Sequence, residues 1–149
     1  MDTIVVGVDG SEGAAAALAF AADEAALRGA RLRIVSAWEV SAGIYGGGVA
    51  PAFDASTLDA FRERAQEVAD EAVATVKKRQ PAVECDSETV EGQPAAILLE
   101  EAKDAGLIVV GSRGLGGFAR LLMGSVSQQV VHHASCPVVV VRAPHEHDR

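Results

Sequence analysis

Two periods alternate along the chain. Thr3-Ile-Val-Val-Gly-Val-Asp9 is a short, almost wholly apolar, β-branched run. Such runs form strands buried on both faces of a parallel sheet. Ser11 or Glu12 then opens an Ala-rich helical stretch to about Arg28, with Gly29 placed for its C′ position. Ala15, Leu18, Ala22 and Ala25 form its apolar stripe, and Asp23, Glu24 and Arg28 lie off it. Arg31 to Trp38 reads as a second strand. Residues 39–54 carry Gly43, Gly46, Gly47, Gly48 and Pro51, a loop long enough that it is expected to be functional or mobile.

Helical spacing returns over about Ser56 to Arg79, in Leu58, Phe61, Ala65, Val68, Ala72 and Val76, and Pro81 ends it. Val83 to Val90 sets Val83, Cys85, Ser87 and Thr89 against Glu84, Asp86 and Glu88, the alternation of a half-exposed edge strand. Gly92 to Asp104 reads as a third helix and Leu107-Ile-Val-Val-Gly111 as a fourth, buried strand. A Gly-rich stretch, Gly111 to Gly124, leads to a fourth helix at about Val126 to Ala134. Cys136-Pro-Val-Val-Val-Val141 is the fifth strand. The polar tail, residues 144–149, is expected to fray. The chain shows no internal repeat and no linker, so residues 1–149 are expected to form one domain.

Strands alternating with helices predict an α/β fold, a doubly wound five-stranded parallel sheet. Ile4 to Val8 and Leu107 to Val110 contain no charge and belong at its centre. The charged strand Val83 to Val90 belongs at an edge. The predicted strand order is 3-2-1-4-5. The chain leaves strands 1 and 4 in opposite directions, so their carboxyl ends, at Asp9 and Gly111, flank the switch point where such sheets bind ligands.

Composition narrows the function. Of 149 residues, 49% are apolar and 23% charged, and the net charge is −8. An acidic chain of this kind lacks the basic face of a nucleic-acid binder. No apolar run approaches the roughly 18 residues that cross a bilayer. The N-terminus enters a strand directly, without a basic and an apolar leader region, so no secretory signal is expected. The two cysteines, Cys85 and Cys136, read as reduced thiols of a cytoplasmic protein.

The charges are unevenly placed. Between Asp104 and Glu146 there is no acid, while Arg113, Arg120 and Arg142 lie in that window. An anion is therefore expected beside the Gly-rich loop. Gly111 and Gly114 are read as allowing close backbone approach to a ligand and positive φ. Ser125 is placed to cap the fourth helix, with Gln128 completing a capping-box pattern. A helix start offers unpaired N–H groups and partial positive charge to a phosphate. Ser125 and Ser127 add hydroxyls. Asp9 has two readings, as a cap of the following helix or as a ligand contact; its place opposite Gly111 favours the second.

The spacing Gly111, two residues, Gly114, nine residues, Gly124-Ser125 resembles the signature of the universal stress protein family. The opening Ile4-Val-Val-Gly-Val-Asp9-Gly-Ser11 and the closing Cys136-Pro137-Val-Val-Val-Val extend the resemblance over nearly the whole chain. The family's ATP-binding branch carries this signature. The resemblance implies a Rossmann-like domain, similar to the adenine nucleotide alpha hydrolases, that binds ATP in the cytoplasm and is usually dimeric. It places Val8 and Asp9 among the nucleotide-binding positions, Asp9 at the ribose or adenine side. The backbone around Ala37 would meet the adenine. Val110, Gly111, Arg113 and Gly114 would line the ribose and phosphates, and Gly124, Ser125, Val126 and Ser127 would bind the phosphates.

Other sites fit the sequence less well. Gly124-Ser125 lacks the Lys of a Walker loop, and Gly7-Val-Asp-Gly-Ser-Glu-Gly13 has the wrong spacing for a dinucleotide fingerprint. There is no G-x-S-x-G elbow. His132 and His133 are adjacent, hence a poor metal pair, and His145 and His147 lie in the tail. Cys136 reads as a small core residue; Trp38 and Phe118 could touch a base, although packing is the commoner role of such aromatics. The motif loop holds no Lys, Asp, Glu or His, so no general base is expected. The expectation is a regulatory nucleotide-binding module with little or no catalysis. Any Mg²⁺ would be held mainly by phosphates and water. The alternatives are a slow ATPase or nucleotidyl-transferase-like enzyme, and a sensor of another adenylate such as cyclic AMP. The uncharged fifth strand, Pro137 to Val141, would lie at a sheet edge and is expected to pair with its copy in a homodimer.

Overall fold

A computed structural model describes residues 2–39, 55–113 and 124–143. The residues 40–54 and 144–149, and Gly114, Phe118 and Arg120, lie outside the described residues. Five strands, β1 (Thr3–Gly7), β2 (Arg31–Trp38), β3 (Cys85–Glu91), β4 (Leu107–Gly111) and β5 (Val138–Val141), form one sheet. All pairings are parallel and the order is β3-β2-β1-β4-β5, as the charge pattern of the strands predicts. Four helices, α1 (Glu12–Arg28), α2 (Ala55–Arg79), α3 (Pro94–Glu101) and α4 (Ser125–His133), cover it.

Strand side chains alternate between two cores. Ile4, Val6, Leu32, Ile34, Leu107 and Val109 pack under α1 and α2. Val5, Val35, Ile108 and Val110 pack under α3 and α4. Both sheet faces are covered, which is why the central strands are continuous apolar runs.

α1 starts where its cap chemistry dictates. Ser11 is the N-cap and its hydroxyl accepts from Ala14 N at 3.1 Å. Gly29 closes the helix at φ +64°, in the left-handed region. Its buried face is Gly13, Ala14, Ala17, Leu18, Ala21, Ala22 and Ala25. The expected stripe is corrected at Ala15, which is exposed. At about 100° per residue, Ala15 lies a quarter-turn from Ala14, beyond the sheet contact.

α2 is corrected in the same way. Ala65, Val68, Ala69, Ala72 and Val76 are buried, but Phe61 is 42% exposed. The helix has 25 residues and the β2 strand beneath it has 8. At ~1.5 Å per helical residue and ~3.3 Å per strand residue, its first turns extend past the strand. Ser36 Oγ donates to Ala65 O at 2.9 Å and fixes α2 over β2. Asp23 joins α1 to α2, accepting from Arg79 at 2.8 and 2.9 Å and from Gln80 at 2.8 Å. These hydrogen bonds, Arg79 first, hold its carboxyl down at about 2.

α3 is shorter than its apolar spacing suggests. Gln93 caps it, accepting from Ala96 N at 2.8 Å, with Pro94 in the first turn, and it ends at Glu101 rather than Asp104. β3 begins at Cys85, two residues later than expected, and shows the alternating exposure of an edge. β5 begins at Val138, although Ile108 N still donates to Pro137 O at 3.0 Å.

Candidate nucleotide site

β1 and β4 are hydrogen-bonded neighbours through Ile4–Leu107, Val5–Ile108 and Val6–Val109. Past β1 the chain crosses to β2, and past β4 to β5, so the switch point of the sheet lies between their carboxyl ends. Val8, Asp9, Ala37, Val110, Gly111 and Arg113 all lie at this end of the sheet, as expected.

On the β1 side, Val8 is buried and its N–H donates to Val35 O at 2.9 Å. Asp9 Oδ1 accepts from Ser11 N at 2.9 Å. That bond closes the turn into α1. The cap of α1 is Ser11, so Asp9 does not cap the helix; its side chain closes the turn before it, which fixes the carboxylate beside the switch point. Gly10 follows at φ +85°, a backbone state that disfavours any side chain. Above Gly10 stand Arg64 and Val68 of α2. Sequence reasoning missed Arg64, because helical spacing marks it only as a residue off the apolar stripe.

On the β4 side, the glycines act differently from the expectation. Gly111 is not among the positive-φ glycines of the described residues. Its lack of a side chain serves packing: a Cβ there would stand 2.7 Å from Gly13 C and O. A Cβ on Gly13 would in turn meet Arg113 O. The two glycines let the first turn of α1 press against the end of β4, backbone on backbone. Gly114 lies outside the described residues.

The α4 start also corrects the sequence reading. Gly124 is the N-cap, in extended backbone, with no side-chain cap bond. Ser125 is the first helical residue, so the Ser125–Gln128 capping box does not form. The cause lies in Ser112. Gly124 N donates to Ser112 O, which places the helix entry one residue earlier. Ser127 Oγ lies 3.0 Å from both Ser112 O and Gly124 O, and Ser127 is 2% exposed. Its hydroxyl proton is therefore used inside the protein and ties α4 to β4. Ser112 N donates to Val141 O at 2.8 Å, so Ser112 also holds the end of β5. No motif singled out Ser112, and its role follows only from the fold.

The first intrahelical bond of α4 is Gln128 N to Gly124 O at 3.0 Å. The N–H groups of Ser125, Val126 and Ser127 precede it and have no acceptor within the helix. Ser125 is exposed and Val126 packs partly against the α3–α4 core. This helix start carries partial positive charge, suited to an anion. Among the described residues no group of three His, Cys, Asp or Glu side chains could hold a metal ion.

A parallel α/β sheet with an uncapped helix start at its switch point defines a class, the doubly wound domains that take ligands at the carboxyl edge. Within that class the assignment is direct. The universal stress protein family matches residues 1–142, and this chain belongs to it. A universal stress protein of Mycolicibacterium smegmatis is 39% identical over 139 residues, 93% of this chain and 45% of that protein. A universal stress protein from Thermus aquaticus is 41% identical over 143 residues, 94% of this chain and 98% of that one. The chain spans about half the length of the mycobacterial relatives it matches.

Solved structures agree. UspA from Lactobacillus plantarum superposes with a TM-score of 0.72 at 27% identity, covering 95% of this chain and 97% of that one. A universal stress protein in complex with cAMP gives 0.69 at 30% identity, covering 96% and 98%. The Archaeoglobus fulgidus protein in complex with dAMP gives 0.68 at 27% identity, covering 95% and 98%.

Proposed function

We propose that this chain is a nucleotide-binding regulatory module that takes an adenine nucleotide, first of all ATP, in the cleft between β1 and β4. The observation that carries the reading is the start of α4. Gly124 presents a bare N-cap, and three N–H groups without helical acceptors follow it. It lies in the one long acid-free window of an otherwise acidic chain. Two structural relatives at 27% and 30% identity are complexes with dAMP and cAMP, which supports the adenylate class. The signature Gly111, Gly114, Gly124, Ser125 supports the ATP-binding branch. In this reading Ser125, Val126 and Ser127 offer backbone N–H groups to phosphate, Asp9 and Ala37 flank the nucleoside, and Val8, Val110, Gly111, Arg113 and Gly114 line the cleft.

Fit for a metal is limited to what the nucleotide brings. Asp9 is the acid at the described site, and one of its oxygens already accepts from Ser11 N. Any Mg²⁺ would ride on phosphate and water oxygens. Catalysis is correspondingly weak, because phosphoryl transfer needs a group to position the nucleophile. The setting we propose is cytoplasmic, with no nucleic-acid or membrane partner. Cys85 and Cys136 support it: both are free thiols, on opposite edges of the sheet. Four strand spacings of ~4.8 Å put them too far apart to bridge. No helix among the described residues is long and apolar enough to cross a membrane.

The cAMP complex of a 30% identical relative favours one second reading, an adenylate sensor using the same cleft. Calorimetric titration with ATP and with cAMP, paired with a phosphate-release assay, tests both. The expected result is saturable ATP binding with phosphate release slower than ~1 s⁻¹, the low end of ordinary enzymes. Release at or above that rate, lost in Asp9→Ala, overturns the non-catalytic reading. Tight cAMP binding without ATP binding promotes the sensor.

A further inference from the structure

We propose that Arg64, on α2, is a ligand-contacting residue of the nucleotide site and acts on the nucleoside half rather than on the phosphates. The inference rests on the adenine-nucleotide reading above and names a residue that neither the signature nor the strand ends supply.

Three observations place Arg64 there. Its guanidinium Nη2 lies 3.3 Å from where a Cβ of Gly10 would stand, and Val68 Cγ2 lies 3.4 Å from the same point. The arginine therefore sits over the turn that follows Asp9. The next residue, Ala65, is bonded through its carbonyl to Ser36 Oγ at 2.9 Å. Ser36 precedes Ala37 in β2, so α2 is anchored at the strand end proposed to meet the base. Finally, among the described residues the Arg64 side chain is loosely engaged. Its Nη1 is 3.6 Å from Glu67 Oε2, and the two side chains are 61% and 65% exposed. An exposed pair at that distance is weak and yields readily to a ligand.

Position decides which part of the ligand Arg64 meets. The donors suited to phosphate are on the β4 side, at the start of α4. Arg64 stands on the β1–β2 side, with Asp9 and Ala37. A guanidinium is planar, carries donors along its edge and stacks on aromatic faces, so it can cover a purine and bond its ring nitrogens or the ribose hydroxyls. Lysine offers a point charge and no plane.

The test compares wild type with Arg64→Ala and Arg64→Lys by calorimetric titration of adenosine, AMP and ATP. Circular dichroism checks folding, which an exposed side chain should not disturb. The expected result for Arg64→Ala is a loss of about three- to tenfold, the scale of a stacked cation, by a similar factor for all three ligands. Arg64→Lys should recover little of it. A loss that grows from adenosine to ATP overturns the assignment to the nucleoside half. Unchanged affinities in a wild type that binds overturn the inference alone. A wild type that binds none of the three ligands overturns the adenine-nucleotide reading, and the inference with it.

Discussion

Individual glycines and hydroxyls at the carboxyl end of the sheet do different jobs. Gly10 supplies a positive φ, Gly111 and Gly13 supply room, and Gly124 supplies a helix start without a side chain. Gly13 is the sharpest case, because two effects oppose each other there. Within a helix, Gly→Ala gains up to ~1 kcal/mol from propensity. Here the new Cβ would run into the Arg113 carbonyl, a backbone atom that no rotamer change can move. Overpacking of that kind costs ~1–3 kcal/mol, so the clash wins. Gly13→Ala is predicted to lower the urea midpoint at unchanged m-value; a midpoint equal to or above wild type would contradict the backbone contact. The sequence marked Gly111 and Gly124 as special but not for these reasons. A close approach between α1 and β4 depends on two positions about a hundred residues apart, and no local pattern encodes it. Ser127 was visible as a hydroxyl near a helix start. That it is spent on Ser112 and Gly124 could be seen only once β4 and α4 were in place.

Whole elements were legible where one physical rule dominates. β1 and β4 are uncharged runs rich in β-branched residues between clear breakers, and the chain offers no competing pattern there. α1 has a Ser cap and a Gly stop, so both its ends were readable. The exposure of Ala15 and Phe61 was not, because periodicity gives a direction on a helix but not how far the partner surface extends. α3 was overextended for a related reason: Ala102 is buried as if helical, but Lys103 and Asp104 already turn towards β4. The edge position of β3 followed from its alternating charges, and β5 had to take the other edge by order alone. The Asp9 turn and the start of α4 lie at the same end of the sheet because a switch point gathers the ends of neighbouring strands, and Arg64 of α2 stands over that turn. Gly114, the remaining signature glycine, lies outside the described residues, so its role rests on the signature.

At the scale of the molecule, β5 is the element without a finished environment. Its four valines are all half-buried, and among the described residues β4 is its one strand neighbour in the sheet. Such an edge pairs readily with another chain. Val131 of α4, 46% exposed, adds to it. Gln129 bonds to Gln93 of α3, and Val131 lies about 200° around the helix from Gln129, on the flank away from α3. We propose a two-fold dimer through β5, whose strands run antiparallel across the axis. Light scattering should give twice the 15.3 kDa chain mass, falling towards one chain in Val139→Asp plus Val141→Asp. A single-chain particle in wild type, or an unchanged dimer in the variant, would count against this interface. The dimer would place two nucleotide sites on one body, a route from bound ligand to partner binding. That route depends on the cleft holding an adenine nucleotide against the start of α4. The most direct measurement is calorimetric titration of ATP into wild type and Gly124→Val at equal concentration. A valine at the N-cap puts a branched side chain where phosphate must approach the backbone. The account predicts ATP binding by wild type and at least tenfold weaker binding by the variant, about 1.4 kcal/mol or more. Equal affinity of the two proteins, or no binding by wild type, would contradict it.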